Sequence, residues 1–299
     1  MEPEGRSPPS RLRGALRAAL ALLLATALWL PSLHLFFSPG KAPEHQPAGP
    51  LAPRAQALLA HQLALWEDPG PRADEHRRMR RTNAEWDFMG RTFTVLALAN
   101  AALRDPATLP RYLEAIDRII DDTLATEREQ GMYFFMMPYA QARPWVLDPP
   151  RSAFVDGEIA LMLGARALLA PKPAYERELR FRTDELRFRM EKSPVLSAES
   201  YPDECWTFCN TLALAAMRVE DAVRGESRGA VFAKRWLDVA RQRLVDPGTG
   251  LLVSSFTQGG KPLDGPEGSS IFLSAHALLL VDPAFARDQY ERARRELGG

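Results

Sequence analysis

Four short stretches gather the side chains that could carry acid–base chemistry. The first is Thr82-Asn83-Ala84-Glu85-Trp86-Asp87-Phe88. Asn83 suits a helix cap, and Glu85 and Asp87 fall in the first turn that follows. The second runs from Ser152 to Leu161, with Asp156 and Glu158 beside the positive end of an apolar helix. The third, Glu199 to Asn210, packs Tyr201, Asp203, Glu204, Cys205, Trp206 and Cys209 ahead of an uncharged run. The fourth, Asp264 to His276, shapes a loop with Gly265, Pro266 and Gly268 that delivers Glu267, then places His276 in an apolar helix.

Each stretch also has a plain structural reading. Carboxylates in a first turn are favoured by the helix dipole alone. Two small thiols beside Trp206 and Phe208 suit a core. Read as one helix from Pro202, Cys205 and Cys209 share a face; a disulfide within one helix is geometrically poor, so both are expected to be free. A lone histidine on an apolar helix is commonly a satisfied core residue. The chemical reading makes Asp87, Glu158, Asp203, Cys209 and Glu267 the acid/base candidates, because a carboxyl group in an apolar cavity is held protonated and can donate. Asp156, Tyr201, Cys205, Trp206 and His276 are then candidates for contact with substrate.

No metal or cofactor is expected. His-x-x-x-His and Glu-x-x-His pairs do not occur on the apolar helices, and His61 and His76 fall in outer segments. There is no phosphate-binding glycine loop before a helix and no Gly-x-Ser-x-Gly elbow. Two cysteines are too few for a disulfide scaffold or a four-thiolate zinc site. Lys plus Arg is 38 and Asp plus Glu is 38 in 299 residues, so no net charge draws the chain to nucleic acid.

These stretches must be positioned by helices. From Leu51 onward the periodicity is helical: Ala55–Trp66, Glu85–Leu103, Leu109–Leu124, Ala153–Leu169, Ala174–Met190, Asp203–Val223, Gly229–Leu244, Ser269–Val281 and Pro283–Leu297. Asp74 to Arg81 is a charged run, a solvated face or a loop. Gly250 to Phe256 is the one β-like stretch. Apolar helices alternate with charged ones, which predicts inner and outer layers, and short loops make neighbours antiparallel. The fold class is all-α, a barrel-like ring of helical hairpins. Four to five hairpins are visible, short of the six of a closed barrel. The ring is open, closed by a partner such as a second copy, or cut short. All inner-helix starts are expected at one rim, facing one cavity.

Ahead of this body, Arg6, Arg11, Arg13 and Arg17 precede an apolar run from Ala18 to Leu30, and Ala15 to Phe37, with Arg17 its one early charge, is a stretch of about 23 residues. That length crosses a bilayer core of roughly 30 Å. The basic flank, residues 1–14, puts the start in the cytosol and the domain from residue 54 on the periplasmic or extracellular side. A cleaved signal peptide, with Ala25-Thr26-Ala27 as the site, and a buried or interfacial helix are the rivals. Residues 38–53 hold five prolines and form a linker.

The first and third stretches resemble the linalool dehydratase/isomerase family. Glu85-Trp86-Asp87-Phe88-Met89 with Arg91-Thr92-Phe93 is similar to the family's first inner helix, and Pro202-Asp203 with Cys209-Asn210 to its cysteine-bearing one. Arg235-Trp236-Leu237-Asp238, Leu244-Val245-Asp246-Pro247 and Val281-Asp282-Pro283-Ala284-Phe285 follow in the same order. The resemblance covers Glu85 to Leu124 and Ala153 to Leu297. It implies an (α/α)6 barrel around an apolar pocket, and removal or addition of water on a terpenoid alcohol by protein groups without metal or redox cofactor. It maps the family's aspartate onto Asp87 and one thiol onto Cys209. Phe93 stands where the family has a tyrosine, Ser200 near its other thiol, and Phe154 and Glu158 where it has methionine and histidine. Phe93 and Phe154 join the substrate-contacting set on this basis.

The functional expectation is a membrane-anchored lyase or isomerase acting on a small hydrophobic alcohol. One alternative is a glycan hydrolase with paired carboxylates, about 5 Å apart for retention and about 6.5–9.5 Å for inversion. The other is a membrane-tethered binding or scaffold domain without catalysis.

Overall fold

The computed structural model describes residues 11–37 and 49–297. The basic flank before Arg11 and most of the proline-rich linker lie outside the described residues. The chain forms two compact units, Met1–Gln56 and Ala57–Gly299.

The first unit holds helix α1, Arg11–Phe37, which runs through Pro31. Its segment Arg13–Leu33 has a mean hydropathy of 1.7 and no buried residue. It is the one helix among the described residues long and apolar enough to span a membrane, and a signal sequence has the same character.

The second unit is helical. Helices α2 (Pro53–Glu67) and α3 (Pro69–Thr82) precede four hairpins: α4/α5 (Ala84–Arg104, Leu109–Gln130), α6/α7 (Ala153–Leu169, Pro173–Met190), α8/α9 (Thr207–Arg224, Arg228–Arg243) and α10/α11 (Gly268–Leu278, Pro283–Leu297). The charged run at Asp74 is therefore a helix. Asp68 caps it by accepting from the Gly70 N–H, with Pro69 next in line.

The inner helices pack in the order α4–α6–α8–α10. Outer helix α5 lies on α4 and α6, α7 on α6 and α8, α9 on α8, and α11 on α10. The alternation of apolar and charged helices follows from this. Helix α6 is buried without a break from Ala153 to Ala167, whereas outer helices bury one stripe. Gly157 and Gly164 bring α6 against α8: a Cβ at 157 would sit 3.5 Å from the Cys209 carbonyl, and one at 164 only 2.6 Å from Val219.

Local chemistry sets the helix starts that matter. Asn83 accepts from the Glu85 and Trp86 N–H groups, and the Ser152 hydroxyl accepts from Val155. Helix α8 begins at Thr207, four residues later than its sequence suggests. Asp203 adopts φ 50° in a tight turn, Tyr201 and Glu204 bridge across it, and Cys205–Trp206 forms β1. Strands β1, β2 (Ser255–Phe256) and β3 (Pro262–Asp264) make a small antiparallel sheet in that order. The β-like stretch after Gly250 is its centre. Cys205 thus lies on a strand and Cys209 on a helix, so the shared-face argument for the pair does not hold. Both cysteines are nevertheless free and buried.

A candidate acid–tyrosine–thiol site

Three of the four inner-helix starts converge. Glu85 opens α4, and the Tyr201 hydroxyl, arriving from the turn before α8, donates to its carboxylate. The same hydroxyl accepts from the Met137 N–H at 2.9 Å. Tyr139, from the aromatic loop after α5, stacks on Tyr201 with ring centroids 4.5 Å apart and planes 20° apart. Burial raises the Glu85 pKa; the Tyr201 hydrogen bond opposes this and the charge of Glu204 adds to it. Burial and the neighbouring carboxylates push both tyrosines up, so they remain protonated phenols.

Glu158 is the most perturbed carboxyl group of the site. It is completely buried in the second turn of α6. Neither of its oxygens has a hydrogen-bond partner. Burial raises its pKa to about 8, and the Thr92 hydroxyl on α4 opposes that shift without forming a hydrogen bond of ordinary geometry. Near neutral pH the group is largely the neutral acid. Cys209, in the first turn of α8, is its thiol neighbour. Burial raises the thiol pKa, the Ser200 hydroxyl lowers it, and the charges of Glu158 and Glu85 raise it further. Phe154, one turn before Glu158, meets Phe88 edge-on at 5.3 Å and gives this side an aromatic wall.

The other sequence candidates lie elsewhere, each for a definable reason. Asp87 points away from Glu85 toward α2 and α3. It meets His76 Nδ1 at 2.5 Å and Arg91 at 3.8 Å, beside a cavity of about 80 Å³ bounded by Trp66, Met79 and Gln62. Asp156 faces the outer layer, where Arg151 clamps it through two 2.6 Å hydrogen bonds and Arg182 adds a third at 2.8 Å. Asp203 is structural: its carboxylate accepts from the Gln258 N–H and holds the sheet to the turn. Cys205 donates to Gln258 at 3.1 Å within the core. Trp206 donates to Glu204 at 2.5 Å at the edge of the cluster.

Glu267 is exposed, with its backbone held by Ser254; a carboxylate without a partner stays in water. His276 is exposed as well, because Ile271, Ser274, Ala275 and Leu278 take the buried face of α10. Phe93 is exposed, between buried Thr92 and Thr94. Of the residues expected to face one cavity, Glu158, Tyr201 and Cys209 come together beside Glu85, whereas Asp87, Asp156, Asp203 and Glu267 face other surroundings.

Several residues of the site escape a reading of the sequence. Tyr139 sits in a loop with no periodicity to orient it. Thr92 looks like any helix threonine. Glu199 anchors the loop from a distance, accepting from Val146, Leu147 and Asp203 N–H groups at 2.8–3.0 Å. Among the described residues no group of three or more His, Cys, Asp or Glu side chains is placed to hold a metal ion.

No protein-family model matches the chain, and no curated protein matches it. Chemically, the cluster combines a neutral carboxylic acid, a carboxylate hydrogen-bonded to a phenol, and a neutral thiol around an apolar wall. Such a set can give and take protons without a metal.

Proposed function

We propose that this chain is a membrane-anchored acid–base enzyme acting on a small hydrophobic alcohol of terpenoid type, as a lyase or isomerase that uses no cofactor. The observation that carries the reading is Glu158, a buried carboxyl group without a hydrogen bond where three inner-helix starts meet. Leaving such a group unpartnered costs about 1–3 kcal/mol, a cost that function explains better than packing does. Glu158 would protonate the substrate hydroxyl, so that the C–O bond breaks and water leaves. Glu85 would take the proton from the adjacent carbon, its electron pair closing the new double bond. Tyr201 would hold Glu85 in place. Isomerisation follows if water returns at another carbon.

The resemblance to linalool dehydratase/isomerase supports this substrate class, and the apolar wall of Phe88 and Phe154 is compatible with it. The basic flank of α1 supports a body outside the cytosol, with the anchor holding it near lipid-soluble substrates. A second reading, a tethered binding domain, draws support from the row of four inner helices among the described residues, where a closed (α/α)6 barrel has six. The paired-carboxylate glycan hydrolase would rest on Glu85 and Glu158 as well, and a neutral Glu158 would serve either reaction; the apolar wall of Phe88 and Phe154 favours the alcohol.

The test is to incubate the detergent-solubilised full chain with C10 allylic alcohols and analyse products by gas chromatography. Dehydrated or isomerised product is expected, and Glu158→Gln should lower turnover by about 10²–10⁴-fold. No product from any alcohol removes the substrate class. Undiminished turnover in Glu158→Gln removes its role as the acid.

A further inference from the structure

Helices α4 and α10 end the inner row, and each lacks the second inner neighbour that α6 and α8 possess. Both leave a mostly apolar face in solvent, interrupted by Asn100 on α4 and His276 on α10. On α4, Trp86, Phe93 and Leu103 are 38–66% exposed, with Met89 and Leu96 half-buried between them and Ala97 exposed. Their spacing follows one side of a 3.6-residue helix over five turns. The charged residues inside that span, Asp87 and Arg91, are buried on the opposite side. On α10, Phe272 is exposed, and Leu279 and Leu280 are exposed just past the helix end. Tyr290 of α11 extends this face and meets Phe272 edge-on at 5.7 Å.

We propose that these two faces are the contact surfaces for a second copy of this chain. In a two-fold dimer, α4 of one copy lies against the α10–α11 face of the other, and the reciprocal contact forms at the same time. A single association then gives both terminal helices their missing neighbour. The area fits. The seven large side chains expose roughly 700 Å² per chain, near the ~800 Å² per partner of a standard stable interface. The charge fits too: the formal net charge is zero, so two copies meet without net repulsion. A lipid surface is a poorer match, because interfacial helices border their apolar face with Lys and Arg. Neither α4 between Trp86 and Leu103 nor α10 places a Lys or Arg on its exposed face; the arginines nearby are Arg104, at the end of α4, and Arg294, which lies over the Tyr290 ring on α11. Trp86 follows Glu85, so the partner copy would also cover one edge of the acid–tyrosine cluster.

The experiment uses the full chain in detergent micelles, with mass measured by sedimentation and light scattering. The wild type is expected to be a dimer at micromolar concentration. Phe93→Glu and Phe272→Glu, both at solvent-facing positions, should each weaken self-association ten-fold or more while the helical circular dichroism is unchanged. The double variant Phe93→Glu/Phe272→Lys should recover the dimer, because the opposite charges meet across the α4–α10 contact. A monomeric wild type overturns the proposal, as does a dimer insensitive to both substitutions, which would place the contact elsewhere, such as in α1. Dimer recovery on mixing Phe93→Glu chains with Phe93→Lys chains also overturns it, since that result requires α4 against α4.

Discussion

The Tyr201 hydroxyl donates to the Glu85 carboxylate across 116 residues of sequence. This one hydrogen bond joins the first inner helix to the turn ahead of the third. The phenol also accepts from Met137, so it ties the aromatic loop to the same point. Tyr201 is 2% exposed, and its partners have few alternatives if it is lost.

Tyr201→Phe keeps the ring and removes both hydrogen bonds. It leaves the Met137 N–H and a largely buried Glu85 oxygen without their partner, which should cost about 1–3 kcal/mol. Tyr139→Phe should cost less, because that side chain is half-exposed and its principal contact is the ring stack. Comparing urea midpoints of the two variants checks this. Equal losses would mean that stacking, not the hydroxyl, secures the cluster.

Cys205 and Cys209 should be unreactive in the folded chain and fully countable after unfolding. The reason is burial, which raises both thiol pKa values and suppresses the thiolate that reacts. Thiol titration under non-reducing conditions should find close to none before denaturant and both afterwards. A monomer with no thiols in denaturant would show that the two are bonded, against their placement on a strand and a helix.

The helical plan is legible because burial writes itself into periodicity. Ala153–Leu169 is buried all round and uniformly apolar, and Pro283–Leu297 is amphipathic; both have the bounds the sequence suggests. What escapes is set by contacts distant along the chain. Asp203 resembles a helix-start residue, yet its positive φ and the bridge of Tyr201 with Glu204 delay α8 to Thr207. The site shows the same division. Glu158 stands out as a carboxylate in an apolar helix. Asp156, two residues earlier, carries an equal signal, and only Arg151 and Arg182 reveal that it faces the outer layer. A two-residue step turns a helix by about 200°, so the two carboxylates could not both face inward.

The seams between helices respond unequally to added volume. A Cβ on Gly229, at the start of α9, would lie 2.5 Å from the Met217 carbonyl oxygen, which is backbone and cannot turn aside. Gly229→Ala should therefore destabilise by about 1–3 kcal/mol through overpacking. A Cβ on Gly157 meets α8 at ordinary contact distance, and helix propensity favours alanine by roughly 1 kcal/mol. Gly157→Ala should be neutral to stabilising. Thermal unfolding of both variants checks the contrast, and the reverse order would mean that the α8–α9 seam is looser than the α6–α8 seam.

Burial of Glu158 makes stability depend on pH in a direction unusual for a carboxyl group. Its pKa rises from an ordinary 4.5 to about 8 on folding. Between those values the folded chain holds a proton that the unfolded chain has released. Stability therefore falls as pH rises, by up to about 1.4 kcal/mol per pH unit from this group. Below the lower value both states are protonated, and above the upper one both are ionised, so the contribution levels off at each end. Most carboxylates act the other way, because ion pairing lowers their pKa and stability is lost in acid. Glu158→Gln supplies a side chain of the same shape that cannot ionise. Denaturant unfolding at pH 5 and pH 9 should find wild type and variant closest at pH 5. At pH 9 the variant should be more stable than wild type by a few kcal/mol. If the two proteins keep the same stability difference at both values, Glu158 is either paired or hydrated in the folded chain, and it loses its standing as the proton donor.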